Sequence, residues 1–209
     1  MKTAKRFFSL EGIDGSGKTT QIDMLIEALT AEGYSVVKLR EPGGAKISER
    51  IREILLDPGF KGVMGDKTEL LLYNAARAQV IHEIIQPALD AGKVVIADRF
   101  AWSTYAYQGY ARGLGADMVQ RLTELTCGSC FPELTVVLDI DVARGRARTA
   151  KRGEAPDRLE QEKAEFFERV RQGYLAAARE FPDCVTAIDA DRSAQDVFAD
   201  LYKLVKGRL

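Results

Sequence analysis

At 209 residues, with 46% hydrophobic and 29% charged side chains, the chain is long enough for one α/β domain with a substantial core and has an ordinary soluble composition. A formal net charge of −1 argues against a bulk polyanion such as duplex nucleic acid as partner. No apolar run approaches the ~20 residues that span a bilayer, and no signal-peptide h-region opens the chain, so a cytoplasmic protein without membrane attachment is expected.

The apolar run Phe7-Phe8-Ser9-Leu10 predicts a first strand over about residues 6 to 10. A helix over about 18 to 32 follows, with Ile22, Leu25, Ile26 and Leu29 on one face and Gly33 at its end. Between them lies Gly12-Ile13-Asp14-Gly15-Ser16-Gly17-Lys18-Thr19. Strand, glycine loop and helix form the context in which the G-x-x-x-x-G-K-[ST] pattern carries meaning. Glycines without Cβ atoms let successive backbone N–H groups turn inward around a phosphate, and the helix N-terminus points partial positive charge at the same anion. Lys18 adds a charge near the β/γ-phosphates and Thr19 offers a hydroxyl to Mg²⁺, so Gly12 to Thr19 reads as a nucleoside triphosphate site.

A second strand is expected over Ser35 to Leu39, broken by Arg40-Glu41-Pro42-Gly43-Gly44, then a short helix over 47 to 56 closed by Pro58-Gly59. Residues 68 to 90 carry a long helical period, which Pro87 is expected to kink or divide. Val94 to Ala97 is continuously apolar and is placed at the sheet centre, with Asp98-Arg99 at its carboxyl end. Helices at 101 to 107 and 116 to 127 are separated by Gly109, Gly113 and Gly115, and Leu134 to Leu138 is the fourth strand. The stretch 144 to 158 is basic, with Arg144, Arg146, Arg148, Lys151, Arg152 and Arg158. Phe166, Val170 and Tyr174 mark a long helix, Val185 to Ile188 a weak last strand, and Val197, Leu201 and Val205 a terminal helix. This alternation predicts a single α/β domain over 1–209: five parallel strands flanked by helices, the architecture of P-loop kinases.

Cys127 and Cys130 have C-x-x-C spacing, but they close a helix instead of opening one, and Cys184 with the single His82 makes a poor remainder for a zinc site. They read as unpaired loop cysteines, and His82 as a structural or surface residue. The chain has no N-K-x-D segment of a GTPase and no L-S-G-G-Q segment of a transporter. Asp98 resembles a Walker-B acid but is followed by Arg99 in place of a second acid. A hydrolase needs a group to position water, whereas a small-molecule kinase needs cations that hold two phosphorylated substrates in line. Lys18, Arg40, Arg77, Arg99 and the 144–158 segment supply such cations, several of them at carboxyl ends of strands where open α/β sheets bind ligands. The alternatives are another nucleotide kinase on the same fold, or a nucleotide-dependent switch whose basic segment holds nucleic acid.

Five segments together resemble the bacterial thymidylate kinases along nearly the whole chain: Glu11 to Gln21, Arg40-Glu-Pro-Gly-Gly44, Glu69 to Ala78, Asp98-Arg99-Phe100 with Ser103 and Ala106-Tyr-Gln108, and Asp157-Arg-Leu-Glu160. The resemblance implies transfer of the γ-phosphoryl of ATP to dTMP with Mg²⁺, giving dTDP for dTTP synthesis. It implies that Tyr73 stacks on thymine, that Arg77 hydrogen-bonds the base, that Thr104 and Gln108 lie beside it, and that Tyr107 abuts the sugar. Arg99 then holds the dTMP phosphate, with Arg40 as a further phosphate contact. Asp14 lies near the 3′-hydroxyl and the metal, with Thr19 and Asp98 as the other metal residues. No basic residue stands at Gly15 or Ser16, so beside Lys18, Asp14 and Arg99 the catalytic cation is expected from a lid at 144–158, from Arg148, Lys151 or Arg152. Family members pair as homodimers, for which the 68–90 helix is the expected contact.

Overall fold

The computed structural model describes residues 3–150, 153 and 155–209. Five parallel strands, β1 (Thr3–Glu11), β2 (Val36–Arg40), β3 (Val94–Asp98), β4 (Phe131–Asp139) and β5 (Val185–Asp189), form one sheet in the order β2-β3-β1-β4-β5. β1 therefore occupies the centre, and β3 lies beside it rather than at the middle as the apolar run predicted. β3 is buried on both faces by helices packed on either side of the sheet while β2 covers its outer edge, and burial alone does not separate a central strand from its neighbour.

Side chains alternate across the sheet. Phe8 and Leu10 point to a layer built from α1 (Lys18–Ala31) and α9 (Ala194–Lys206), against Ile22, Leu25, Leu29, Val197 and Leu201. Phe7 points to the opposite layer, with Val95, Val80, Ile85 and Phe100. That layer begins with α2 (Lys46–Leu56) and α3 (Asp66–Val80). α3 continues through a π-helical turn at Ile81–Ile85 into α4 (Gln86–Asp90). Pro87 thus sits in the first turn of α4, where its missing N–H matters least, and the wide turn before it takes up the expected break.

β3 leads into α5 (Ala101–Thr104) and a π-helical run Tyr105–Ala111, so Gly109 is helical and not a separator as expected. α6 (Ala116–Cys127) returns to β4, and Cys127 and Cys130 are buried beneath it as free thiols. Burial pushes them up to about 12 and about 11; Cys127 ends α6, while Cys130 lies on the loop before β4 as expected. His82 is exposed on the π-helical turn. After β4 the first half of the basic stretch forms α7 (Val142–Ala150), and α8 (Ala164–Glu180) carries Phe166, Val170 and Tyr174 into a third cluster with Tyr105 and Tyr107.

Candidate functional site

The carboxyl ends of β1, β2 and β3 deliver their following residues to one rim. Gly15 (φ 82°) and Gly17 (φ 95°) adopt left-handed backbone that other residues reach only with strain. At Gly15 a side chain is also excluded sterically, since an added Cβ would lie 2.2 Å from the Gly145 carbonyl oxygen of α7. α1 starts at Lys18 directly after Gly17, so its free N–H groups face the loop. A 200 Å³ cavity here is lined by Lys18, Thr19, Arg40, Asp98, Arg99 and Asp14 among others. Lys18 Nζ donates to Gly12 O (3.0 Å) and Ile13 O (3.1 Å) and lies 3.9 Å from Asp14. Burial and then the neighbouring Arg99 charge lower Lys18 to about 8, against the pull of Asp14.

Arg99 takes φ 67°, an uncommon value for a non-glycine residue that costs on the order of 1–3 kcal/mol. The surrounding structure over-determines it. Its N–H donates to Leu10 O (2.9 Å), Nη1 to Gly12 O (2.8 Å) and Tyr174 OH (3.0 Å), and Nη2 to Asp14 Oδ1 (2.7 Å). Beneath it the fully buried Glu11 accepts from the N–H of Phe100 (2.8 Å), from Ser103 Oγ (2.6 Å) and from Tyr174 OH (3.0 Å). Burial outweighs these bonds and raises the Glu11 carboxyl.

A second cavity of 390 Å³ shares Asp14 and Arg99 with the first, and adds Tyr73, Arg77, Thr104, Tyr107 and Gln108. Arg77 is only 1% exposed. Its Nε donates to Glu41 Oε2 (2.9 Å) and its Nη2 to Thr104 Oγ1 (2.9 Å) and Phe100 O (3.2 Å), while Nη1 has no partner among the described residues. A buried donor without a partner costs about 1–3 kcal/mol, which a ligand carbonyl would recover. Burial holds Tyr73 and Tyr107 protonated, so both present neutral rings to this space.

The expected residues thus gather around two adjoining cavities, with two qualifications. Arg40 lines the smaller cavity, but its guanidinium is tied to Pro42 O (2.9 Å) and Glu49 (3.1 Å). The basic stretch is not a uniform lid. Arg144 pairs with Asp191, Arg146 donates to Glu162 O (3.1 Å), and the buried Arg158 holds Leu55 O (2.6 Å) and Glu69 (2.6 Å). Arg148 alone of these four reaches the glycine loop, at Gly15 O (3.3 Å). Lys151 and Arg152 lie outside the described residues.

Thr19 and Asp98 share the smaller cavity, whereas the Asp14 carboxylate is engaged by Arg99. Mg²⁺ bound to a nucleotide takes most of its ligands from phosphates and water, so this sparse oxygen set fits it. No group of three or more His, Cys, Asp or Glu side chains among the described residues is arranged to hold a metal by itself.

Several residues in this arrangement escape sequence reasoning. Arg52 of α2 lines both cavities and donates to Pro42 O (2.9 Å). Tyr174 arrives from 75 residues beyond Arg99. Arg192 and Gln21 line a 310 Å³ cavity behind Gly15 and Gly17, opposite Arg148. Glu11 and Gln21 had a signal as the ends of the Glu11 to Gln21 segment, with no role attached to either.

The model of the family described as thymidylate kinase matches residues 10–201. A thymidylate kinase of Halothermothrix orenii is 50% identical over 209 residues, covering 97% of each chain. One of Syntrophotalea carbinolica is 50% identical over 196 residues, covering 91% of this chain and 90% of its own. A crystal structure of thymidylate kinase from Ehrlichia chaffeensis superposes with a TM-score of 0.77 at 32% identity, over 99% of both chains.

Proposed function

The chain belongs to the thymidylate kinase family, and we propose that it transfers the γ-phosphoryl group of ATP to dTMP, with Mg²⁺, as a step toward dTTP. The carrying observation is that the two cavities meet at Arg99 and Asp14, so a donor phosphate held by the glycine loop faces an acceptor phosphate held by Arg99.

The acceptor is already a phosphate oxygen, so no strong base is needed and catalysis is alignment plus charge neutralisation. Lys18 and the amides of Gly15 to Thr19 hold the donor phosphates. Thr19 and Asp98 would hold Mg²⁺, which would supply charge neutralisation to the phosphates. Arg99 anchors the acceptor phosphate, and its tether to Asp14 and Tyr174 fixes it in place. Tyr73 supplies a stacking face and Arg77 a donor-only guanidinium for the base, while Tyr107 excludes a 2′-hydroxyl. One of Arg148, Lys151 and Arg152 would supply the remaining cation to the transferring group. The cavity of Arg192 and Gln21 would take the donor's nucleoside.

A coupled assay of ADP release against dTMP, dUMP, UMP, CMP and GMP tests the reading. Release with dTMP above the rest supports it, and preference for another monophosphate refutes it.

We further propose a cytoplasmic homodimer of single kinase domains. No described helix is long and apolar enough to cross a membrane. Leu71 (57% exposed) on α3, Ile47 and Ile54 on α2 and Leu125 (81%) on α6 place apolar side chains on helices that pack side by side.

A further inference from the structure

The acceptor cavity has a polar group whose orientation is set from behind. Gln108 is 1% exposed and lines the cavity, and its Nε2 donates to Glu69 Oε1 (2.7 Å). Glu69, on α3, is also 1% exposed. Arg112 donates to Glu69 Oε1 through Nε and to Oε2 through Nη2 (both 3.2 Å), and Arg158 Nη1 lies 2.6 Å from Oε2.

Burial raises the Glu69 carboxyl, but Arg112, Gln108 and Arg158 together outweigh it and hold the group below its ordinary value. It is therefore ionised and accepts only. Arginine has no acceptor to offer, so Gln108 alone in this cluster has a choice of which end to present. Against an acceptor-only carboxylate that end must be the NH₂, and the amide oxygen is left for the other side.

We propose that Glu69 is a positioning residue for base selection, turning Gln108 so that its carbonyl oxygen, and not its NH₂, meets the acceptor base. The inference rests on the proposed dTMP reading. A thymine ring presents an N3–H donor beside the O4 acceptor, and cytosine the reverse, an N3 acceptor beside a 4-amino donor. A fixed Gln108 carbonyl accepts from thymine N3–H and opposes the cytosine N3 lone pair. Arg77, donor-only and with a free Nη1 among the described residues, suits O4 and rejects the amino group. Discrimination then arises from an unpaired buried group in the wrong complex, which costs more than a lost contact in the right one.

The test is a double-mutant cycle read by calorimetric binding of dTMP and dCMP without ATP, on the full chain, with Glu69→Gln, Gln108→Ala and the double variant. In Glu69→Gln the two arginines compete for one oxygen, so an amide N–H faces Gln108 and lets it turn. The expected result is a fall in the dTMP-over-dCMP affinity ratio on the order of tenfold in each single variant. The double variant should fall no further than Gln108→Ala alone. Independent losses that multiply, or a wild-type ratio in folded Glu69→Gln, overturn the proposal. If Glu69→Gln does not fold, Glu69→Asp keeps the charge for both arginines but withdraws it by one methylene. Its ratio should fall likewise, and an unchanged ratio overturns the proposal. A wild type that releases no ADP with dTMP refutes the proposed reaction. A wild type that does so, with base preference intact in the Glu69 variants, refutes only the role of Glu69.

Discussion

Lys18 illustrates what burial does to the cation proposed to hold the donor phosphates. Held at about 8 by burial and Arg99, it begins to lose its proton in mildly alkaline solution. A bound triphosphate favours the charged form, so binding above pH 8 must take up a proton. The expected outcome is that ATP affinity falls as pH rises through 8, with proton uptake visible by calorimetry in buffers of different ionisation enthalpy. Lys18→Ala should show neither effect and no phosphoryl transfer, while remaining folded.

Arg99 carries a different expectation, because its proposed partner is the acceptor's own phosphate. Arg99→Ala should weaken dTMP far more than thymidine, which lacks that phosphate. Equal weakening of the two would show that Arg99 shapes the pocket instead. Tyr174→Phe keeps the ring packing but removes the hydroxyl that bridges Glu11 and Arg99. One charge-assisted hydrogen bond is worth about 1.5–3 kcal/mol, so kcat/KM for dTMP should drop roughly 10- to 100-fold. Thymidine binding should stay within a fewfold of the parent.

At the scale of elements, the decisive contact is the seat of α7 on the glycine loop. Gly15 and Gly145 face each other, and a Cβ on Gly145 would come 2.8 Å from Asp14 O and 2.9 Å from Ile13 Cδ1. Gly145→Ala sets two effects against each other. Alanine favours the helix by about 1 kcal/mol, while the clash lifts α7 and Arg148 from the loop. The expected outcome is at least a tenfold loss of kcat, with a melting temperature within a few degrees of the parent. A parent-like kcat would mean that α7 does not need this seat. Replacing Arg148, Lys151 and Arg152 together should cut kcat by about a thousandfold or more, the range of a missing transition-state cation. dTMP affinity should hold, since the cavity proposed for it lies on α3 and the 101–111 segment.

For the whole molecule, the sheet is covered on both faces, and the apolar surface left exposed concentrates on α2, α3 and α6. Leu71→Glu with Leu125→Glu should convert the proposed dimer to monomers in sedimentation velocity while leaving the fold intact. A dimer that survives both charges places its interface elsewhere.

The order of strands and helices, the glycine loop and the carboxyl-end position of Arg99 were legible in the chain because each depends on local signals. Periodicity, glycine without Cβ, and a cation after an apolar run all act over a few neighbouring residues. The pocket residues Tyr73, Arg77 and Gln108 were legible only through motif resemblance, since their helical positions alone read as core. What tertiary structure decided was every pairing made across the sheet rim. Tyr174 reaches Arg99 because α8 packs on the 105–111 run, and Glu69 reaches Gln108, Arg112 and Arg158 because three separate elements converge there. The same convergence divided the basic stretch, leaving Arg148 on the loop and drawing Arg158 into the interior. A charge's role follows from the partner that packing brings to it, and that partner has no trace in the spacing of its own segment.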